Sequence, residues 1–154
     1  MAAAAAPVPA PEPGRAPPAK ATPVPTPATL TYWEGTRAGE LRLQRCGGCG
    51  RARFYPRPAC PHCGSVEFAW FKASGRGRLH SYIINHLPPP GFEADVPYVV
   101  AAVELEEGPR MMANLVDVAP VPEALALDMA LEVRFVPRGQ QMLPVFRPAR
   151  GAAA

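Results

Sequence analysis

Residues 46–64 have the sequence CGGCGRARFYPRPACPHCG, and this stretch decides the fold of the N-terminal half of the 154-residue chain. It contains two Cys-x-x-Cys pairs, Cys46 with Cys49 and Cys60 with Cys63, and a glycine directly follows each pair. A Cys-x-x-Cys turn brings two sulfurs onto one ion with backbone amides directed at the thiolates, and the glycine can close the turn at positive φ. Two such knuckles predict one tetrahedral site with four thiolate ligands.

The predicted ligand set indicates the kind of metal site. Four thiolates fill a tetrahedral coordination sphere, so we expect a structural Zn²⁺ ion and not a catalytic one. Iron in a rubredoxin-type site uses the same ligands and is the alternative metal. Two disulfides would need an oxidising compartment, and a thioredoxin-like redox pair would need a single Cys-x-x-Cys in a βαβ unit, which the pattern does not predict. We expect His62, inside the second pair, to be exposed and not a ligand.

Residues 1–29 form an Ala/Pro-rich leader, with nine prolines between Pro7 and Pro27 and no aromatic residue. Such a stretch buries too little apolar surface to offset its ordering entropy, so we expect it to be disordered or polyproline-like. Prolines interrupt its apolar runs, which disfavours a secretory signal, and it is neither Arg-rich nor amphipathic like a transit peptide. A misassigned start codon is the alternative explanation.

Because no apolar stretch is long enough to cross a bilayer, we expect a soluble cytoplasmic protein without membrane contact.

A short helix is predicted before the first cysteine pair. Thr31 and Glu34 have the spacing of a capping box, and Gly39 is the predicted stop. Tyr32 and Trp33 give this helix an aromatic face. That face either packs on the chain's own domain or docks on a partner subunit, so both residues are candidate partner-docking residues.

The rest of the chain alternates between β-rich segments and Gly/Pro turns, one of which is predicted at residues 75–78. Residues 41–45 and 51–55 predict a hairpin around the first knuckle, and further strands are predicted at 66–72, 79–87, 98–105, 110–116, 131–136 and 142–146. This pattern predicts a mainly-β protein whose second half is a small OB-fold-like barrel, with a small sandwich as the alternative. The predicted parts are a leader (1–29), a helix with the zinc ribbon (30–68), an OB-fold domain (69–149) and a tail (150–154).

Several further motifs occur in a specific order along residues 32–149. They are Tyr32-Trp33-Glu34-Gly35, Gly39-Glu40-Leu41, the two cysteine pairs, Gly75-Arg76-Gly77-Arg78-Leu79-His80-Ser81-Tyr82, Pro97-Tyr98-Val99-Val100-Ala101, Asn114-Leu115-Val116-Asp117 and Leu143-Pro144-Val145-Phe146-Arg147-Pro148. Together they resemble a family of bacterial and archaeal proteins that join a rubredoxin-like zinc ribbon to an OB-fold. This family was long catalogued as a domain of unknown function and is found beside acyl-CoA enzymes.

The resemblance implies a non-catalytic accessory subunit that forms a hetero-oligomer with an acyl-CoA enzyme: a thiolase, a retro-aldolase or a hydratase. Such a subunit scaffolds its partner and shapes the entrance for the CoA substrate, in the degradation of a carbon compound. In this role Arg76 and Arg78 would contact CoA phosphates, since the guanidinium fork suits phosphate; the alternative is that both lie in solvent.

Sequence motifs do not predict catalysis by this chain alone. The metal uses all four cysteines, and no Gly-x-Ser-x-Gly motif, Walker A motif or paired carboxylates are present. His80 and His86 share strand parity, so they either form a pair on one face or simply face solvent.

Two other functions remain as hypotheses. Residues 34–78 carry nine basic and three acidic side chains, which suits a nucleic-acid-binding module, but residues 79–150 carry five basic and nine acidic ones, which disfavours it. A free-standing acyl-CoA-binding protein is the other hypothesis, with Met111 and Met112 lining a pocket beside the apolar segment 98–105.

Overall fold

The computed structural model describes residues 19–150, and our predictions for residues 1–18 and 151–154 lie outside it. One short helix and eight strands follow each other along the described part. They are α1 (Leu30–Arg37), β1 (Arg42–Cys46), β2 (Ala52–Arg53), β3 (Phe68–Lys72), β4 (Arg76–Asn85), β5 (Tyr98–Leu105), β6 (Arg110–Leu115), β7 (Ala130–Arg138) and β8 (Gln141–Pro148), with a 3₁₀ turn at Pro122–Ala124. The predicted mainly-β class is therefore confirmed.

The first three strands form a small antiparallel sheet in the order β2-β1-β3. In its centre Gln44 of β1 pairs with Arg53 of β2 on one side and with Trp70 of β3 on the other. The hairpin predicted around the first knuckle is the β1–β2 pair. The predicted domain boundary between residues 68 and 69 falls inside β3, which pairs with β1 and so belongs to the ribbon sheet.

The remaining strands close into a barrel with the order β4-β5-β6-β8-β7. Neighbouring strands are antiparallel except β6 and β8, which are parallel at the Leu115–Phe146 pair. This is the Greek-key order of the OB-fold, so the predicted barrel is confirmed and the sandwich alternative is wrong. One face of β5 points into the barrel, because every second residue from Val99 to Leu105 is buried.

β4 differs from its prediction, because it begins at Arg76, inside the segment for which the sequence predicts a turn. A Cβ atom at Gly77 would lie 2.6 Å from the carbonyl oxygen of Glu104 and 2.8 Å from Cγ1 of Val103. The glycine at this position therefore serves the close approach of β4 to β5 and does not form a turn.

α1 begins earlier than its predicted capping box. Its N-cap is Thr29, not Thr31, and no side chain caps the helix amides. The Thr29 hydroxyl instead accepts a hydrogen bond from the amide of Thr26 at 2.9 Å. The predicted end is confirmed, since the amide of Gly39 donates to the carbonyl of Thr36 at 3.1 Å in the manner of a Schellman motif.

Residues 19–29 contact the folded part of the chain, although the sequence assigns them to the leader. Lys20 forms an ion pair with Asp95 and lies 4.9 Å from the centroid of the Phe92 ring. Thr29 is buried at 5% exposure. The packed part of the chain therefore begins before residue 30.

One hydrophobic core joins the helix, the ribbon sheet and the barrel. Its buried members include Trp33 and Leu43 from the first half of the chain and Leu79, Val103 and Phe146 from the barrel. Full burial of each such side chain contributes about 1.5–3 kcal/mol, so the two halves stabilise each other through this core. No helix within residues 19–150 has the length and apolar character needed to cross a membrane.

Candidate functional site

The two cysteine knuckles have the same backbone geometry. In the first, the amide of Cys46 donates to the carbonyl of Arg51, and the amide of Gly50 donates to the carbonyl of Cys46, both at 3.0 Å. The corresponding bonds of the second knuckle, made by the amides of Cys60 and Gly64, measure 2.8 and 2.9 Å. Gly50 and Gly64 have φ values of +71° and +76°, which confirms why a glycine follows each pair.

The four sulfurs converge on one point. All four ligand atoms lie within 4.8 Å of one another. The sulfur of Cys46 is 3.5 Å from that of Cys63, and the sulfur of Cys49 is 3.7 Å from that of Cys60. Sulfurs bound tetrahedrally to zinc at about 2.3 Å lie about 3.8 Å from each other, so the arrangement fits this ion. A disulfide needs about 2.05 Å, and all four cysteines are free, so the disulfide alternative is wrong.

The protein favours the thiolate at the first cysteine of each knuckle. The backbone amide of Cys49, directed at the sulfur of Cys46, lowers the pKa of Cys46 to about 6. The amide of His62 lowers the pKa of Cys60 in the same way. Because zinc binds the thiolate, these amides favour metal binding at the first cysteine of each knuckle. At Cys63 the amide of Ser65 acts in the same direction, but the neighbouring sulfurs raise the pKa of this thiol to about 11. The His62 ring is exposed, as predicted, with Nδ1 3.1 Å from Nη1 of Arg51.

A buried polar network holds the segment that leads to the second knuckle. The side-chain oxygen of Gln44 accepts hydrogen bonds from Nε of Arg53 at 2.8 Å and from the amide of Arg57 at 3.1 Å. Arg53 also donates through Nη2 to the carbonyl of Arg57 at 2.9 Å. Sequence reasoning missed this role, because the alternation of residues 41–45 predicts an outward-facing Gln44, whereas its exposure is 1%.

Tyr32 and Trp33 lie inside the chain's own core, at 2% and 7% exposure. Their rings meet edge-on at 5.0 Å, and Tyr32 also packs against Phe54 and Tyr55. Burial, with a contribution from Tyr55, raises the pKa of the Tyr32 phenol. The structure thus supports the alternative in which this face packs on the chain itself. A partner could not reach either ring without displacing core residues, so neither residue provides a docking surface here.

Arg76 and Arg78 lie on the exposed face of β4, beside a groove of about 330 Å³. Nε of Arg76 donates to Glu106 at 2.9 Å, and this hydrogen bond lowers the pKa of the Glu106 carboxyl. Nη1 of Arg78 donates to the carbonyl of Asp128 at 3.1 Å. Both guanidinium groups can reach a ligand in this groove, but an anion at Arg76 must compete with Glu106.

His80 and His86 do not form a pair. The pairing of β4 with β5 shifts register between Leu79 and Ser81, so His80 is the extra residue of a β-bulge. The bulge removes the shared parity, and His86 lies beyond the end of β4 at Asn85. Both histidines are exposed. Among the described residues, the candidate metal ligands cluster only at the four cysteines.

The fold and the site define a class of protein in which a four-cysteine zinc ribbon shares a core with an OB-fold barrel. Residues 33–69 match the family described as the rubredoxin-like zinc ribbon domain of ChsH2. Residues 70–136 match the family described as the C-terminal OB-fold domain of ChsH2. The chain therefore belongs to the ChsH2 family of zinc-ribbon and OB-fold proteins, which confirms the resemblance. Its four cysteines form the structural zinc site of this ribbon.

Three similar proteins illustrate the family. A probable enoyl-CoA hydratase alpha subunit of Thermomonospora curvata is 42% identical over 120 residues, which are 77% of this chain but 36% of that protein. A DUF35 domain-containing scaffold protein of Pyrococcus furiosus is 43% identical over 103 residues, 64% of this chain and 74% of that protein. A chain of the solved structure called Ltp2-ChsH2(DUF35) aldolase is 40% identical, with a TM-score of 0.71, over 82% of this chain and 98% of that one.

Proposed function

We propose that this chain is a non-catalytic accessory subunit of an enzyme complex that acts on acyl-CoA thioesters. It scaffolds the catalytic partner and shapes the access of the CoA substrate, with a thiolase-like, aldolase or hydratase subunit as partner. One observation carries the proposal: the chain matches 98% of a chain in the Ltp2-ChsH2(DUF35) aldolase structure at 40% identity. Because it spans only 36% of the Thermomonospora hydratase subunit, the activity of that larger protein is not transferred.

The side chains of the described residues support an accessory role. The four thiols converge on one metal site whose geometry leaves no coordination position open. The exposed His80 is the extra residue of the β-bulge and the exposed His86 follows the end of β4, and neither belongs to a described group of converging acid and base residues. We therefore propose that the catalytic groups belong to the partner subunit. A cytoplasmic location of the complex is also proposed, because a four-thiolate metal site suits a reducing compartment.

Co-purification tests the partner. The tagged full-length chain, expressed in its native host, should bring down one acyl-CoA enzyme subunit in a fixed ratio, identified by mass spectrometry after size-exclusion chromatography. A chain that elutes alone at all salt concentrations would contradict the proposal. The same preparation tests the nucleic-acid hypothesis. That hypothesis predicts that the chain binds a single-stranded oligonucleotide and that this binding weakens steeply with added salt.

Arg76 and Arg78 are proposed to contact the phosphates of CoA at the entrance of the complex. Both are exposed on one strand face, and a fork-shaped cation suits a phosphate. In the purified complex, Arg76→Gln combined with Arg78→Gln should raise KM for the acyl-CoA with little change in kcat. Arg134→Gln is a matched control, because Arg134 is also an exposed barrel arginine in an ion pair, with Asp117 at 3.0 Å. An unchanged KM in the double variant would place both arginines in solvent.

A further inference from the structure

A small groove on the ribbon, which we call the ribbon groove, has aromatic and proline walls. It encloses about 280 Å³, and its lining includes Pro27, Gln44, Arg57, Pro58, Phe68 and Trp70. The rings of Phe68 and Trp70 meet edge-on at 6.2 Å, and Phe68 remains 39% exposed. Aromatic side chains are enriched at docking surfaces, and two of them, Phe68 and Trp70, line this groove.

One buried side chain that contacts the lining of this groove, Arg53, has a hydrogen-bond donor without a partner among the described residues. Gln44 lines the groove at 1% exposure, and its side-chain oxygen accepts hydrogen bonds from Arg53 and from the amide of Arg57. Arg53 is 4% exposed, and its Nη1 is buried without a partner among the described residues. Its guanidinium contacts three lining residues, since it donates to Gln44 and Arg57 and lies 5.0 Å from the centroid of the Phe68 ring.

The charge of Arg53 is uncompensated. No carboxylate of residues 19–150 lies within 4.0 Å of it, and the lining of the ribbon groove contains no acidic residue. The neighbouring Arg57 adds a second positive charge without an ion pair in the described part. A buried cation is costly unless an anion pairs with it, so the ribbon groove is complementary to a carboxylate next to an apolar group.

We propose that the ribbon groove docks an extended segment of the partner enzyme, one that presents an Asp or Glu side chain next to an apolar one. The carboxylate would pair with Arg57, which lines the groove, and with the unpartnered Nη1 of the adjoining Arg53, and the apolar side chain would pack on Phe68 and Trp70. A groove of about 280 Å³ holds one or two side chains and is smaller than a typical ligand cavity of about 300–1,000 Å³. The inference rests on the proposed function, because it names the surface through which the partner binds.

Two substitutions test the groove in the complex recovered by co-purification. Phe68→Ser removes the apolar wall. Gln44→Glu keeps the buried acceptor, places a carboxylate beside Arg53 within the chain, and so repels the carboxylate of the partner. Each should raise the Kd for the purified partner subunit at least about tenfold while zinc content and melting temperature stay near wild type. Met112→Ser, at a side chain 69% exposed on the barrel, is the matched control and should change the Kd less than about twofold.

Photo-crosslinking identifies the occupant. Benzoylphenylalanine in place of Phe68 should crosslink to a partner peptide that contains an acidic residue flanked by apolar ones, and the same label at Met112 should not. A crosslinked peptide without an acidic residue overturns the proposed chemistry. If Phe68→Ser and Gln44→Glu leave the Kd for the partner unchanged, the ribbon groove is not the docking surface. The same holds if Met112→Ser weakens binding equally. Either result leaves the proposed function intact. A wild-type chain that binds no acyl-CoA enzyme overturns the proposed function itself.

Discussion

Gln44 is the residue on which the ribbon depends most outside the metal ligands. Gln44→Leu keeps the volume but removes the oxygen that accepts from Arg53 and from the amide of Arg57, leaving a charged donor buried without a partner. We expect the free energy of unfolding of the zinc-loaded protein to fall by about 2–4 kcal/mol in urea titrations. Gln140→Leu, at an exposed turn position, should change it by less than about 0.5 kcal/mol. Similar losses in both variants would contradict this assignment.

Single residues differ in how far the sequence predicts their roles. The ligand role of Cys46 and its three partners follows from spacing alone, because a Cys-x-x-Cys turn fixes its geometry within a few residues. The burial of Gln44 does not follow from local spacing, because its partner Arg53 lies on a different strand, β2, and pairs with it only in the folded sheet. The cap at Thr31 is wrong for a related reason, since Thr29 is fixed by its own turn with Thr26 and starts the helix earlier.

The knuckles are the element that the metal holds together. Each short sulfur contact joins the first cysteine of one knuckle to the second cysteine of the other, so the ion crosslinks both turns. In the Cys60→Ser variant, we expect fast amide hydrogen exchange in residues 46–65, because zinc binding supplies folding energy there. Amides of β5 and β7, which the barrel pairs on both sides, should stay slow by comparison.

Wild-type protein treated with a chelator provides the control for this substitution. It should show the same fast exchange in residues 46–65, and added zinc should restore slow exchange in the wild type but not in Cys60→Ser. Equal protection of the knuckles with and without zinc would mean that the hydrogen bonds of the turns are sufficient by themselves.

Strands are predictable here where β-forming residues run between turn signals, and not where glycines interrupt them. The apolar, β-forming run of residues 98–105, which stands between Pro97 and the turn at residues 106–109, gives both ends of β5. The segment 75–78 has the composition of a turn, yet most of it is strand, because Gly77 lies against the backbone of Glu104. That contact joins neighbouring strands whose residues are far apart in sequence, so it has no local signal. The parallel pairing of β6 with β8 is equally non-local, so the sequence indicates a barrel but not its closure.

At the scale of the molecule, α1 is the joint between ribbon and barrel. Nη1 of Arg37 donates to the buried side-chain oxygen of Gln141 in β8 at 2.8 Å. Trp33 belongs to the same core as Leu43 of the ribbon and Phe146 of the barrel. The two halves therefore share packing energy, and we expect the zinc-loaded chain to unfold in one cooperative transition.

Trp33→Ala should separate that transition into two. Removing a tryptophan that is 7% exposed from the shared core costs about 3–5 kcal/mol and weakens the joint more than either half. The chain has two tryptophans, so in this variant Trp70 alone reports the ribbon by fluorescence, while far-UV circular dichroism reports mainly the barrel strands. The two signals should give different midpoints in guanidinium, whereas Met112→Ala should keep them coincident. Coincident midpoints in Trp33→Ala would mean that the ribbon and the barrel are coupled through β3 and the zinc site more than through α1.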